Sequence, residues 1–144
     1  MAHRFTALAI SADVEPDHVE AGVSELADGS GFVVLFQCGA DEPDAQDAEL
    51  GMDTYCVVTA DQGTAYGCVR AAELTGNVLR VTFDPAALPA LGLDDAELEA
   101  VLEAPAEDVA RFGEVLGQVL DYGREDVRVE LRPGLPFRAG APRR

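Results

Sequence analysis

The stretch Val78-Leu79-Arg80-Val81-Thr82-Phe83-Asp84-Pro85 marks the change from a strand-rich first part of the chain to a more helical second part. Between residues 78 and 83, apolar side chains alternate with polar ones, and this period of two predicts a strand with one buried face. Asp84 followed by Pro85 is typical of a helix start, because aspartate caps free N–H groups and proline fits the first helical position. We therefore expect a short helix after this strand, ending by Gly92.

Upstream of this stretch, five further segments have the composition of strands and are separated by residues typical of turns. The segment at residues 32–36 is apolar on both faces, which is typical of a central strand covered on both sides. The stretch at residues 78–83 is therefore the sixth strand of a mostly β first part. The five upstream segments are residues 4–12, 18–26, 32–36, 54–59 and 65–74.

Downstream, residues 105–120 carry apolar side chains at spacings of three, four and seven, which predicts a helix with one apolar stripe. Residues 94–103 show two conflicting patterns. Asp94 and Glu97 resemble a helix capping box, whereas the following residues alternate as in a strand, and we favour the strand. Residues 127–132 alternate again and predict a last strand.

Strands grouped early and helices grouped late predict an α+β fold. We expect a mostly antiparallel β-sheet with one main C-terminal helix packed on one face and a short helix after the sixth strand. A chain of 144 residues is long enough for one core, so we assign a single domain to residues 1–132. The tail at residues 133–144, rich in Pro, Gly and Arg, is expected to be flexible.

Charge is the strongest signal of the composition: 27 acidic residues against 10 basic ones give a formal net charge of −17. Such a surface repels nucleic acid and anionic membranes and attracts a basic protein. No apolar stretch reaches the length of a membrane helix and no secretory signal is visible, so we expect a cytoplasmic protein. Three cysteines without close pairs indicate reduced thiols.

No catalytic set is recognisable in the sequence, so we predict that the chain is no enzyme and binds no cofactor. His3 and His18 lie at a terminus and a turn, and Ser30 lies in a plain turn without a partner base. One alternative is a small enzyme with Cys56 or Cys68 as nucleophile, which requires a nearby base or positive charge. Two small thiols that fill the core are the simpler interpretation.

An acidic segment interrupts the strands after residue 39. Its carboxylates could hold a hard cation, but a calcium loop has a central glycine, and Gly51 comes too late for that pattern. We therefore predict no metal site and consider two interpretations, a solvated loop and a partner-binding loop. The residues that would contact a partner are Glu42, Asp44, Asp47 and Glu49.

A glycine, an acid and two tyrosines follow the acidic segment at the start of two neighbouring strands. One interpretation is packing, with Gly51 in a special turn conformation and Tyr55 and Tyr66 as a cross-strand aromatic pair. The other is recognition, because tyrosine is a favoured anchor in protein interfaces. On that interpretation Asp53, Tyr55 and Tyr66 belong to the partner-binding set.

In the order of these features the sequence resembles the immunity protein 10 family of bacterial polymorphic toxin systems. The resemblance spans residues 4–122 and consists of an Arg-Phe-Thr-Ala strand, Leu-Gly-Met-Asp-x-Tyr, a Tyr-Gly strand, and Leu-x-Val-x-Phe-Asp leading into Ala-Ala-Leu-x-x-Leu-Gly-Leu. It implies a small protein that is encoded beside a toxin and binds it. By matching position, the family-signature residues are Gly51, Asp53, Tyr55, Tyr66 and Gly67.

The function we predict is that of an immunity protein that neutralises a cognate, basic toxin by occluding its active surface. An acidic inhibitor would be steered to a basic cleft and would occupy it in place of phosphate. The alternative is a non-catalytic structural or regulatory interaction module without a toxin partner, for example a homodimer joined through a sheet edge. The neighbouring gene distinguishes these two hypotheses.

Overall fold

Two five-stranded β-sheets form the framework of the protein. The computed structural model describes residues 3–16, 18–28, 31–39, 54–59, 63–122 and 131–133, the last of these for the backbone alone. The strands are β1 (His3–Ala7), β2 (Ala9–Val14), β3 (His18–Ser24), β4 (Val33–Gly39), β5 (Cys56–Thr59), β6 (Thr64–Tyr66), β7 (Val69–Thr75), β8 (Val78–Phe83), β9 (Glu97–Leu102) and β10 (Leu131–Pro133).

Sheet 1 has the strand order β1-β9-β8-β7-β10, and sheet 2 has the order β2-β3-β4-β5-β6. Sheet 2 is antiparallel throughout, because consecutive strands are joined by reversals of the chain. In sheet 1 the pairs β1 with β9 and β7 with β10 are parallel, and the other two pairs are antiparallel. The prediction of a mostly antiparallel α+β fold is confirmed, with the strands divided between two sheets.

The helical segments follow β8, the strand at residues 78–83 that we predicted as the sixth. A 3₁₀ turn (Pro85–Ala87) leads into α1 (Leu88–Leu91), and the main helix is α2 (Ala106–Leu120). Asp84 caps the turn, since its carboxylate accepts a hydrogen bond from the Ala86 N–H at 3.0 Å. Residues 97–102 form β9, so the strand interpretation of that ambiguous segment is correct.

Helix α2 packs its apolar stripe on one face of sheet 2, against β2, β3 and β4. The inward-facing side chains of both sheets and of this helix form one buried cluster, in which Phe36, Phe83 and Phe112 are fully enclosed. Within the described ranges, no helix combines the length and the apolar character needed to cross a membrane. The buried side chains of α2 are Val109, Phe112, Val115, Leu116, Val119 and Leu120.

Two segments that we predicted as single strands are each divided, because the chain passes there from one sheet to the other. Residues 4–12 break at Leu8 between β1 and β2, where the Leu8 N–H donates to the Ser24 carbonyl at 3.1 Å. Residues 65–74 break at Gly67 between β6 and β7, where Gly67 has a φ of 61°. A positive φ is costly for a residue with a Cβ, so glycine suits this crossing.

The predicted last strand at residues 127–132 is observed in part, since β10 comprises Leu131–Pro133. Residues 123–130 and 134–144 lie outside the described part of the chain. The division into a domain at residues 1–132 and a flexible tail therefore stays a prediction.

Replacing Gly67 with alanine should lower the free energy of unfolding by about 1–2 kcal/mol, the usual cost of a left-handed conformation for an L-residue. Urea denaturation of Gly67→Ala and of the unchanged protein measures this difference. Gly67→Asn serves as the matched variant, because asparagine tolerates positive φ, and it should lose less stability. Equal losses in both variants would contradict backbone strain as the cause.

Candidate partner-binding surface

Tyr55 connects sheet 2 to the beginning of β7 through its hydroxyl group. The Tyr55 ring is fully buried, with 0% of the residue exposed. Its hydroxyl accepts a hydrogen bond from the Val69 N–H at 3.1 Å and donates one to the Val69 carbonyl at 3.3 Å. The Gly67 N–H donates in turn to the Tyr55 carbonyl at 3.0 Å. Tyr55 thus binds the chain on both sides of the Gly67 crossing.

Burial raises the pKa of Tyr55 to about 12, against the opposing effect of its hydrogen bond with Val69. The hydroxyl therefore keeps its proton at neutral pH, and this proton is the one donated to the Val69 carbonyl. The folded chain holds the Tyr55 proton more tightly than an unfolded chain would. The protonated hydroxyl therefore stabilises the fold, and this stabilisation is fully present below pH 10. It is lost as the pH rises toward 12.

The two tyrosines of the predicted partner-binding set have different environments. Tyr66 is 40% exposed, whereas Tyr55 presents no surface to a partner and has a structural role in this conformation. The predicted cross-strand pair between them is wrong, because Tyr66 lies opposite Cys56 in the β5–β6 register. Tyr66 points outward on the same face as its cross-strand partner Cys56. Adjacent residues along a chain in extended conformation point to opposite faces, so Tyr55, which precedes Cys56, points into the core.

The acidic members of the predicted set lie in the connection between β4 and β5. This connection leaves the described chain after Gly39 and re-enters it at Thr54. Its residues are outside the described ranges, so their contact with a partner stays a prediction. They are Glu42, Asp44, Asp47, Glu49 and Asp53, and Gly51 lies among them.

A row of side chains crosses all five strands of sheet 2 on the face turned away from α2. Gln37 occupies the middle of the row, where its amide Nε2 donates to the Glu20 carboxylate at 2.9 Å. The Cys56 thiol lies 3.7 Å from Gln37 Oε1 and completes the link to the next strand. In strand order from β2 to β6 the row is Asp13, Glu20, Gln37, Cys56 and Tyr66.

A cavity of about 380 Å³ opens beside this row. The exposed Tyr66 forms part of its wall, and Gly39 and Thr54, the two ends of the acidic connection, also border it. The cavity therefore lies where the acidic connection joins the sheet. Among its lining side chains are His18, Gln37, Thr54, Cys56, Tyr66 and Tyr122.

Charge is distributed unevenly along the sequence. Residues 5–69, which include all of sheet 2, carry 13 acidic residues and no lysine or arginine. Residues 70–144 carry 14 acidic residues and nine arginines. This stretch therefore supplies no lysine or arginine to its own carboxylates, and within the described residues His18 Nε2 lies 3.5 Å from Glu20.

The outer face of sheet 1, in contrast, pairs its charges internally. The carboxylate of Glu99, on β9, lies 3.0 Å from Arg4 Nε and 3.0 Å from Arg80 Nε. Arg80 also approaches Glu73 on the next strand at 4.0 Å. Positive and negative residues thus alternate across β1, β9, β8 and β7, and a cavity of about 380 Å³ above them is lined by both signs of charge.

The three cysteines lack the surroundings of a reactive thiol. Burial raises the pKa of Cys38 to about 11 and that of Cys68 to about 12, and it also raises the pKa of Cys56. Arg70, the arginine nearest to Cys68 in the sequence, forms an ion pair with Asp84 at 3.1 Å. The thiols are therefore protonated at neutral pH, and a thiol is a poor nucleophile compared with a thiolate.

No group of three or more His, Cys, Asp or Glu residues suited to a metal ion occurs in the described ranges. The outer face of sheet 2 has features of a recognition surface: the carboxylates of Asp13 and Glu20 on strands whose sequence contains no lysine or arginine, an exposed tyrosine and a cavity. Sequence reasoning missed Glu20 and Gln37 in this set. The alternation of β3 placed Glu20 on the polar face, but only the strand register brings it next to Gln37.

Comparison with known families gives one result. The model of a family described as Immunity protein 10 matches residues 4–110, which is well over half of the chain. The match includes β1 to β9, the Gly67 crossing and the start of α2. No curated protein and no solved structure matches the chain.

Removing the Tyr55 hydroxyl should be costly, whereas removing that of Tyr66 should not. Tyr55→Phe leaves two buried backbone groups of Val69 without this partner, so we expect a loss of about 1–3 kcal/mol in the free energy of unfolding. Tyr66→Phe changes an exposed residue and should stay within about 0.5 kcal/mol of the unchanged protein. Urea denaturation at pH 7 measures both, and similar values for the two variants would contradict the assigned role of Tyr55.

The thiols of the folded protein should react slowly with an aromatic disulfide reagent at pH 7.5. The reason is that burial keeps all three thiols protonated and also shields the sulfur atoms of Cys38 and Cys68, whereas Cys56 is half-buried. Absorbance of the released thiolate follows the reaction, and all three cysteines should react at once after addition of denaturant. A single cysteine that reacts faster in the folded protein than in the unfolded one would revive the enzyme alternative.

Proposed function

The chain belongs to the immunity protein 10 family, and from this membership and its charge distribution we propose that it binds and neutralises a cognate bacterial toxin. Neutralisation occurs by occlusion: the protein covers the active surface of the toxin and performs no chemistry itself. Immunity proteins act on toxin partners in general. The basic character of this partner and the mode of inhibition are the parts that we propose.

The observation that carries the proposal is the absence of lysine and arginine from residues 5–69, in a stretch with 13 acidic residues. Within the described part of this stretch, the acids lie on or beside β2, β3 and β4. A protein domain gains little stability from such a one-sided charge, because like charges repel in the folded state. Its benefit is in recognition, since a basic partner is attracted from a distance.

Occlusion of a basic surface fits toxins that act on nucleic acid. Such enzymes bind phosphate groups through lysine and arginine, and a carboxylate-rich protein competes for the same positive field. Complementary charge accelerates encounter and suppresses wrong partners more than it raises affinity, so close packing must provide the rest of the binding energy. A toxin made or received in the cytoplasm would meet its inhibitor there.

A homodimeric interaction module is less well supported. Each copy carries a formal charge of −17, so two copies repel each other at low ionic strength. An oppositely charged partner turns the same charge into attraction. The charge of the chain therefore favours a different protein over a second copy.

The test is co-expression with the product of the gene adjacent to the one that encodes this chain. We expect that product to be toxic alone and harmless with this protein, and the two to form a complex by size-exclusion chromatography. Raising the NaCl concentration from 50 to 500 mM should raise Kd by at least about tenfold, because salt screens the attraction between the two proteins. Persistent toxicity together with absence of a complex at low salt would contradict the proposal.

A further inference from the structure

We propose that the outer face of sheet 2 is the surface that docks the toxin, and that the cavity beside Tyr66 receives a basic side chain of it. This inference rests on the proposed function and adds the contact face and the chemistry of the anchor. The occupant is a basic protein surface with a lysine or arginine at its centre.

The sheet face has the layout of a protein interface, an apolar floor with a polar rim. Leu35 and Val58 lie opposite each other on β4 and β5, half-buried on this face. Gly22 allows the Leu35 side chain to lie across β3, because a Cβ at this position would come within 2.5 Å of Leu35 Cδ2. Leu35 and Val58 therefore form an apolar floor over the central strands, and the core of an interface is apolar in the same way.

Polar groups border this floor on the side of the cavity. The Glu20 carboxylate and the Gln37 amide are already joined at 2.9 Å, so they form a fixed acceptor pair. The Tyr66 ring is 40% exposed at the other end of the row. A guanidinium or ammonium group in the cavity would meet the Gln37 amide oxygen and the Tyr66 ring, which attracts cations, and the Glu20 carboxylate lies on the next strand beyond Gln37.

The size of the cavity suits one long side chain. Its volume of about 380 Å³ lies in the lower range of ligand pockets, which hold small molecules or single anchoring residues. The acidic connection joins the sheet at the same place, through Gly39 and Thr54. The site for the anchor thus borders the two described residues between which the acidic connection runs in the sequence.

Sheet 1 has a cavity of equal volume, about 380 Å³, but it is a poor site for a cation. The carboxylate of Glu99 is only 15% exposed and is already shared by Arg4 and Arg80. Glu73 and Glu97 also line this cavity, but an incoming basic side chain would have Arg4 and Arg80 beside it. The electrostatic contrast between the two outer faces therefore selects sheet 2.

The test measures Kd for the product of the adjacent gene by isothermal titration calorimetry. Two variants alter the outer face of sheet 2: Tyr66→Ala removes the aromatic anchor, and Asp13→Lys reverses an exposed charge at the end of the same row. Two matched variants alter other surfaces: Val78→Ala on the outer face of sheet 1, and Glu114→Lys on the exposed side of α2. Asp13→Lys and Glu114→Lys change the net charge equally, so they separate local contact from overall attraction.

We expect Tyr66→Ala and Asp13→Lys each to weaken binding by about tenfold or more, as for residues at the centre of an interface and its charged rim. Val78→Ala and Glu114→Lys should stay within about threefold of the unchanged protein. Thermal unfolding checks that each variant is folded. If Tyr66→Ala does not fold, the comparison of Kd between Asp13→Lys and Glu114→Lys still tests the docking face.

Two outcomes would overturn the inference in different ways. If the unchanged protein binds and all four variants bind alike, or if the variants outside sheet 2 bind more weakly, the docking face is wrong while the proposed function stands. If the unchanged protein does not bind the adjacent gene product at all, the proposed function fails, and the docking face fails with it.

Discussion

The contact between the Tyr55 hydroxyl and both backbone groups of Val69 is the interaction on which the two-sheet arrangement depends. A strand that leaves sheet 2 at Gly67 must enter sheet 1 at one defined place, because a slip of one residue would turn every apolar side chain of β7 outward. The hydroxyl fixes the first residue of β7 from inside the core, at 3.1 and 3.3 Å. Tyr55, Tyr66 and Gly67 resembled a family signature in the sequence, and the structure gives Tyr55 and Gly67 a framework role.

With the crossing fixed, the two outer faces are free to differ in chemistry. Sheet 1 uses its charges among themselves, with Glu99 held by two arginines from neighbouring strands. The strands of sheet 2 contain no lysine or arginine, and Tyr66 on the last of them is exposed. Both sheets share one core. The same framework therefore supports one outer face with internal ion pairs and another outer face that we propose as the contact with a partner.

Local patterns predicted the elements well, and long-range contacts explain what they could not predict. The alternation at residues 78–83 and the stripe at residues 105–120 act within one strand or one helix, so both were visible. The breaks at Leu8 and Gly67 were not, because the chain changes sheets there without a proline or a loop-like composition. The alternation of Tyr55 with its neighbours could have indicated an inward position. The place of Tyr66 opposite Cys56, in contrast, depends on a strand register that no single segment encodes.

The uneven charge along the chain means that residues 5–69, which include sheet 2, carry most of the net negative charge of the sequence. Residues 5–69 hold 13 acids without a lysine or arginine, whereas nine of the ten arginines lie in residues 70–144. On the proposed function, a positively charged partner would attract this part of the sequence most strongly and would turn it toward the contact. A larger share of collisions then begins in a productive orientation, which raises the association rate without any additional contact in the final complex.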